Sequence, residues 1–133
     1  MTRREARENA FKIIFEVPFY GLDRINERLE YFWSSLCEEI TVDDKKYIND
    51  VVTACFENIA SVDEKISDNL TNWKIDRLSK VDLSILRLAT TEIMYIDSIP
   101  EKVSVNEAVN IAKIFGDDNS PSFINGVLSG IVK

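Results

Sequence analysis

From Val81 to Ile96 the chain is apolar on almost every side of a helix, through Leu83, Ile85, Leu86, Leu88, Ile93, Met94 and Tyr95. A helix without a polar face has to be enclosed by other elements, so this segment predicts the centre of a helical bundle. The rest of the sequence meets that demand. Apolar residues recur elsewhere at spacings of three and four, β signals are few, and no Asn-Gly turn joins two alternating runs. Together these features predict an all-α fold.

The punctuation of the chain marks about seven helices. Thr2-Arg3-Arg4-Glu5 is a capping box that starts the first, which Pro18 and Gly21 stop near Val17. A second helix spans roughly residues 23 to 39 with Ile25, Leu29, Phe32, Trp33 and Leu36, and a third starts between Thr41 and Asp44. Ser61 with Glu64, Ser79 with Asp82, and Ser104 with Glu107 repeat the capping pattern and mark three more starts. Ile99-Pro100 ends the central segment, and Ser120-Pro121, a cap followed by proline at the first helical position, opens the last helix.

At 133 residues, 45% of them hydrophobic, the chain suits one compact domain that is stable without metal or disulfide. The one internal division expected lies near Ala60-Ser61, between helical subdomains of about residues 1–60 and 61–133. Cys37 and Cys55 lie far apart in apolar patterns, without zinc or redox spacing, and read as reduced core residues. The charged opening Thr2-Arg3-Arg4-Glu5 fits neither a signal peptide nor a membrane span, so the expected location is cytoplasmic.

The formal net charge is −7, from 16 Lys+Arg against 23 Asp+Glu, which by itself argues against a nucleic-acid-binding surface. Its distribution says more. Arg3, Arg4, Arg7 and Lys12 against Glu5 and Glu8 leave the first fifteen residues at +2 and the remainder at −9. On a helical wheel Ala6, Ala10, Ile13, Ile14 and Val17 form an apolar arc, while Arg4, Arg7, Phe11 and Phe15 share a second arc with Arg3 at its edge. Interleaved arginines and rings suit single-stranded nucleic acid, where guanidinium groups hold phosphates and rings stack on bases. The alternative is that Phe11 and Phe15 belong to the core and the arginines pair with surface carboxylates.

Catalysis finds little support. There is no histidine, the commonest general base, and no Gly-rich phosphate loop, nucleophile elbow or metal-ligand spacing. The acid pairs Glu38-Glu39, Asp43-Asp44 and Asp117-Asp118 fall at expected helix ends, where carboxylates cap helices or stay solvated. No catalytic residue, metal or cofactor is expected.

Several motifs stand in a fixed order: Trp73, Arg77-Leu78, Val81-Asp82, Ile85-Leu86-Arg87-Leu88-Ala89, Glu92, Ile99-Pro100, Asn106-Glu107-Ala108-Val109, Ala112-Lys113, Phe115-Gly116 and Phe123-Ile124-Asn125-Gly126-Val127-Leu128. With the opening Arg3-Arg4-x-Ala6-Arg7-Glu8, this set resembles the NusB transcription antitermination family. The strong match covers residues 73–130 and the first fifteen.

The resemblance implies seven helices in two subdomains, no catalytic activity, and pairing with NusE, a small-subunit ribosomal protein. The pair is expected to bind boxA RNA of nascent rRNA transcripts, within the RNA polymerase antitermination complex, and to support rRNA processing. The end of the chain at Lys133 favours the freestanding factor over the form fused to an rRNA methyltransferase.

By motif, Arg3, Arg4 and Arg7 would hold phosphates, and Phe15 and Phe123 would stack on or line the RNA site, with Lys113 and Asn119 nearby. For Phe123 a core role is the alternative. Phe15 stands where the family often has tyrosine, so a hydroxyl contact to RNA is in question. Asp82 and neighbouring acidic residues would face the basic NusE. Trp73 as an aromatic anchor, Arg77 and Arg87 in ion pairs, Asn106 and Asn125 as caps, and Gly126 at a close helix contact are expected to be structural. A homodimer would cover the basic stripe. The competing reading is a helical protein-interaction adaptor that binds no RNA.

Overall fold

The computed structural model describes residues 1–132, and every regular element among them is helical. In chain order the helices are α1 (Arg3–Tyr20), α2 (Ile25–Ser35), α3 (Val42–Glu57), α4 (Ile59–Ser67), α5 (Lys80–Tyr95), α6 (Glu101–Phe115) and α7 (Ser120–Ile131). Single 3-10 turns at Leu22–Arg24 and Ile75–Arg77 lead into α2 and α5.

The apolar segment is the middle of the bundle. α5 packs against α1, α3, α4, α6 and α7, so Ile85, Leu86, Leu88 and Ala89 are all buried although they point in different directions. The apolar arc of α1 is buried in full: Ala6, Ala10, Ile13, Ile14 and Val17 each keep 2% or less of their surface. Ile48 and Val51 of α3, Ile111 of α6 and Leu128 of α7 close the same core.

Two of the expected caps form, at Thr2 and Ser79, and Thr41 adds another. Thr2 accepts from the Glu5 amide at 3.1 Å while the Glu5 carboxylate accepts from the Thr2 amide at 3.0 Å, a complete capping box. Thr41 caps α3 through the Asp44 amide, and Ser79 caps α5 through the Asp82 amide, each at 3.1 Å.

Other boundaries depart from expectation, each for a local reason. α1 runs through Pro18 to Tyr20, with the proline on the exposed side of the helix. Gly21 ends it at φ 115°, and its amide satisfies the Val17 carbonyl at 3.0 Å. α2 stops at Ser35, four residues early, after the hydroxyls of Ser34 and Ser35 turn back onto the Tyr31 carbonyl. Ser61 caps nothing, since α4 has already begun at Ile59. Ser104 lies inside α6, which starts at Glu101 after Pro100, and its hydroxyl is buried in a polar cluster instead. Asn119 holds the cap position of α7, one residue ahead of Ser120.

Several side chains also differ from expectation. Cys37 is exposed, in the turn after α2, and Cys55 alone is a core thiol. Trp73 keeps 59% of its surface and anchors nothing. Gly126 faces open space, whereas Gly116 is the close-contact glycine, with room for a Cβ only 2.5 Å from the Ser120 side chain. Asn106 and Asn125 lie within α6 and α7 and cap neither. Arg87 does pair, with Asp63 at 2.9 and 3.0 Å.

Candidate nucleic-acid interface

The first two turns of α1 carry three arginines, and each meets a carboxylate from a different helix. Arg3 Nε donates to Asp44 of α3 at 2.6 Å. Arg4 donates through Nε and Nη2 to both oxygens of Glu107 on α6, at 3.2 and 3.0 Å. Arg7 donates through Nε and Nη2 to Glu92 on α5, at 2.9 and 3.3 Å. The side chains of Arg4 and Arg3 remain 61% and 44% exposed, but that of Arg7 only 5%.

Arg7 therefore does not stand where a phosphate can reach it, contrary to expectation. The wheel placed it on the same stripe as Arg4, but three helix turns of α3, α5 and α6 close over it and supply what a buried guanidinium requires. Glu92 accepts not only from Arg7 but from the Tyr47 hydroxyl at 2.5 Å and the Ser104 hydroxyl at 2.8 Å. Four donated hydrogen bonds thus meet the two carboxylate oxygens, the compensation that a buried ion pair requires. Burial works against the Arg7 cation, yet Tyr47 and Glu92 outweigh it and hold the guanidinium above its ordinary basicity. Burial, followed by the neighbouring Glu92 charge, pushes the Tyr47 hydroxyl well above the usual tyrosine range. Arg4 is likewise held above its ordinary value, first by its hydrogen bonds to Glu107 and then by the charge of that carboxylate.

A row of rings continues from the arginines along α1. Phe11 and Phe15 lie 6.4 Å apart between centroids, Phe15 and Phe19 5.5 Å, and Phe115 of α6 joins Phe11 at 5.2 Å. Exposure rises along the row: Phe11 is core, Phe15 half-buried and Phe19 61% exposed. Phe11 in the core and the arginines on carboxylates thus follow the second reading of the stripe, while Phe15 is only half-buried. Cations flank the rings, with Lys12 above Phe115 and Lys80 above Phe19, both at 5.5 Å. Phe11, Lys12, Phe15, Val81 and Phe115 line a shallow cavity of about 340 Å³. Lys113 is exposed near the end of α6.

A second cavity, of about 360 Å³, brings Asp82, Asn119 and Phe123 together with Trp73, Arg77 and Asp117. The residue expected to face a protein partner and two of those expected to contact RNA thus share one cleft, between the start of α5 and the turn into α7. Phe123 is half-buried and Asn119 exposed. The Oδ1 of Asp82 is buried and has no hydrogen-bond partner among the described residues.

Lys80 and Phe115 complete this surface without having been given a role from sequence, and Lys12 entered only the charge count. Phe115 stood in a motif without a role, and Lys80 faces Phe19 only because α5 packs across α1. Glu107 was legible only as a cap partner; its contact with Arg4 spans 103 residues.

Cations gathered at one helix end and rings along the following turns, all on a rigid helical scaffold, define an all-helical binding protein. A model of the NusB family matches residues 4–133. The chain is similar to the transcription antitermination protein NusB of Clostridium novyi (strain NT), 44% identical over 133 residues and covering 100% of this chain and 99% of that one. NusB of Listeria monocytogenes serotype 4a (strain HCC23) is 44% identical over 131 residues, covering 98% and 96%. Among solved structures, T. maritima NusB superposes with a TM-score of 0.84 at 34% identity, covering 98% of this chain and 90% of that one. A crystal structure of the antitermination factors NusB and NusE in complex with dsRNA superposes with a TM-score of 0.78 at 26% identity, covering 97% and 94%. The chain belongs to the NusB family of transcription antitermination proteins, a family of factors and not of enzymes.

Proposed function

We propose that the chain binds boxA RNA of nascent rRNA transcripts together with NusE, within the RNA polymerase antitermination complex of the cytoplasm, and so supports rRNA transcription and processing. The observation that carries this reading is the placement of Arg3 and Arg4, exposed at the start of α1, in line with the ring row of Phe15 and Phe19. Phosphates would meet the two guanidinium groups, and unstacked bases the rings. The related NusB crystallised with NusE and RNA supports the pairing. No helix among the described residues is long and apolar enough to cross a membrane.

Asp82, Asn119 and Phe123 form the second half of the site. The acidic remainder of the chain, −9 outside the first fifteen residues, gives a basic partner its docking face, and the half-buried Asp82 belongs to it. Lys113 lies beyond the ring row and adds positive charge along the strand. The two helical subdomains divide near residue 60, where α4 follows α3 after the single residue Asn58. Arg7 acts from within, as the residue that positions the start of α1.

A mobility shift with boxA-type RNA, run with and without NusE, tests the reading. Retardation strengthened by NusE is expected. Each of Arg3 and Arg4 that holds a phosphate contributes roughly −0.7 to the log–log salt slope, and alanine at that position removes its share. No retardation in either condition would leave the chain a protein-interaction adaptor.

A further inference from the structure

Arg4 is the most exposed of the three arginines, yet two of its nitrogens are already taken up by the chain itself. Its Nε and Nη2 both face Glu107, which leaves only Nη1 outside the pair. Arg3 differs: Asp44 engages its Nε alone, and both terminal nitrogens stay outside. A phosphate can therefore join Arg3 while Asp44 stays in place. Asp44 is also held independently, in the first turn of α3, where the amide dipoles favour a carboxylate. At Arg4 the planar face that suits a bidentate oxyanion is already filled by one.

We infer that Glu107 is an internal competitor for phosphate at Arg4, so that it sets the RNA affinity of the chain and the number of phosphates the motif can hold. This rests on the RNA-binding reading above. A strand that takes the Nε and Nη2 face of Arg4 has to displace Glu107, leaving a carboxylate with only 17% of its side chain exposed beside an arriving anion. Both effects lower affinity for any polyanion. A strand that also engages Arg3 and the rings of α1 offsets that loss, while a generic polyanion does not. Only a strand with those further contacts therefore stays bound despite Glu107.

The test compares wild type, Glu107→Gln, Glu107→Ala and Asp44→Asn, each with saturating NusE and a fluorescent single-stranded boxA-type RNA. Both Glu107 variants are expected to bind about five-fold more tightly, the gain from freeing an exposed ion pair, with a salt slope steeper by roughly 0.7. Asp44→Asn is expected to bring no gain. Adding Arg4→Ala to Glu107→Gln should return affinity to that of Arg4→Ala alone. Unchanged or weaker binding by both Glu107 variants, with wild-type urea unfolding, overturns the inference; so does a gain that survives Arg4→Ala. Wild type that binds no RNA even with NusE overturns it too, and is told apart because it also removes the reading on which it rests.

Discussion

Arg7 of α1 and Glu92 of α5 meet at 2.9 Å inside the molecule although 85 residues separate them in the chain. With the hydroxyls of Tyr47 and Ser104, the pair joins α1, α3, α5 and α6 at one point. The end of α1 that displays Arg3 and Arg4 is held from beneath by this cluster.

Removing one partner of such a pair leaves the other charged and buried, so Arg7→Ala should cost about 3–5 kcal/mol of stability. That is a large share of what a domain this size possesses. Arg7→Lys should recover only part of the loss, since an ammonium cannot match both carboxylate oxygens. Urea unfolding of the variants measures both.

Stability should fall on the alkaline side. Burial pushes the Cys55 thiol up to about 11 from an ordinary 9.0, with a hydrogen bond to Thr91 opposing it. Both Cys55 and Tyr47 titrate higher in the folded protein, so their contribution is complete at neutral pH. It drains away once the unfolded chain begins to ionise, from the ordinary thiol value upward. By about pH 10.5 the thiol alone removes roughly 2 kcal/mol. Unfolding midpoints between neutral and alkaline pH should drop less in Cys55→Ala, and less again with Tyr47→Phe.

Phe15 and Phe123 separate stacking from packing. If each ring carries a base, alanine should weaken RNA binding by about 1–3 kcal/mol per site, and leucine nearly as much, because only a flat ring stacks. Leucine keeps most of the apolar volume and should leave thermal unfolding close to wild type. Anisotropy titration with labelled RNA and a thermal melt, run on the same samples, distinguish the roles.

Two glycines predict opposite outcomes. A Cβ at Gly116 would lie 2.5 Å from the Ser120 side chain and 2.8 Å from the Ala112 carbonyl, so Gly116→Ala should destabilise the α6–α7 junction by about 1–3 kcal/mol. Gly126 meets nothing within 4 Å inside α7, so Gly126→Ala should stabilise by up to about 1 kcal/mol. Calorimetry on the pair reads both signs.

Much of the architecture was readable in advance, because helix period and cap chemistry act over a few residues. The enclosed α5, the buried arc of α1 and the caps at Thr2 and Ser79 all depend on neighbours in sequence. Ser61 and Ser104 misled because a serine three residues before a glutamate also arises for other reasons; Ser104 is where it is to reach Glu92. The fate of the arginines was illegible by the same logic. A wheel gives an angle, but whether that angle faces water depends on α3, α5 and α6. The convergence of Asp82, Asn119 and Phe123 on one cleft is likewise tertiary, and only the resemblance to a family pointed at all three.

The carboxylates that hold the three arginines are Asp44, Glu92 and Glu107, all of them later in the chain than the residues they restrain. Synthesis proceeds from the N-terminus, so the arginines emerge first, as loose cations on a growing chain. Arg3 finds its partner once α3 has been made, Arg7 after α5, and Arg4 only after α6. Maturation therefore runs from indiscriminate attraction to guarded display, and the last long helices to appear are what turn a sticky leader into a selective surface.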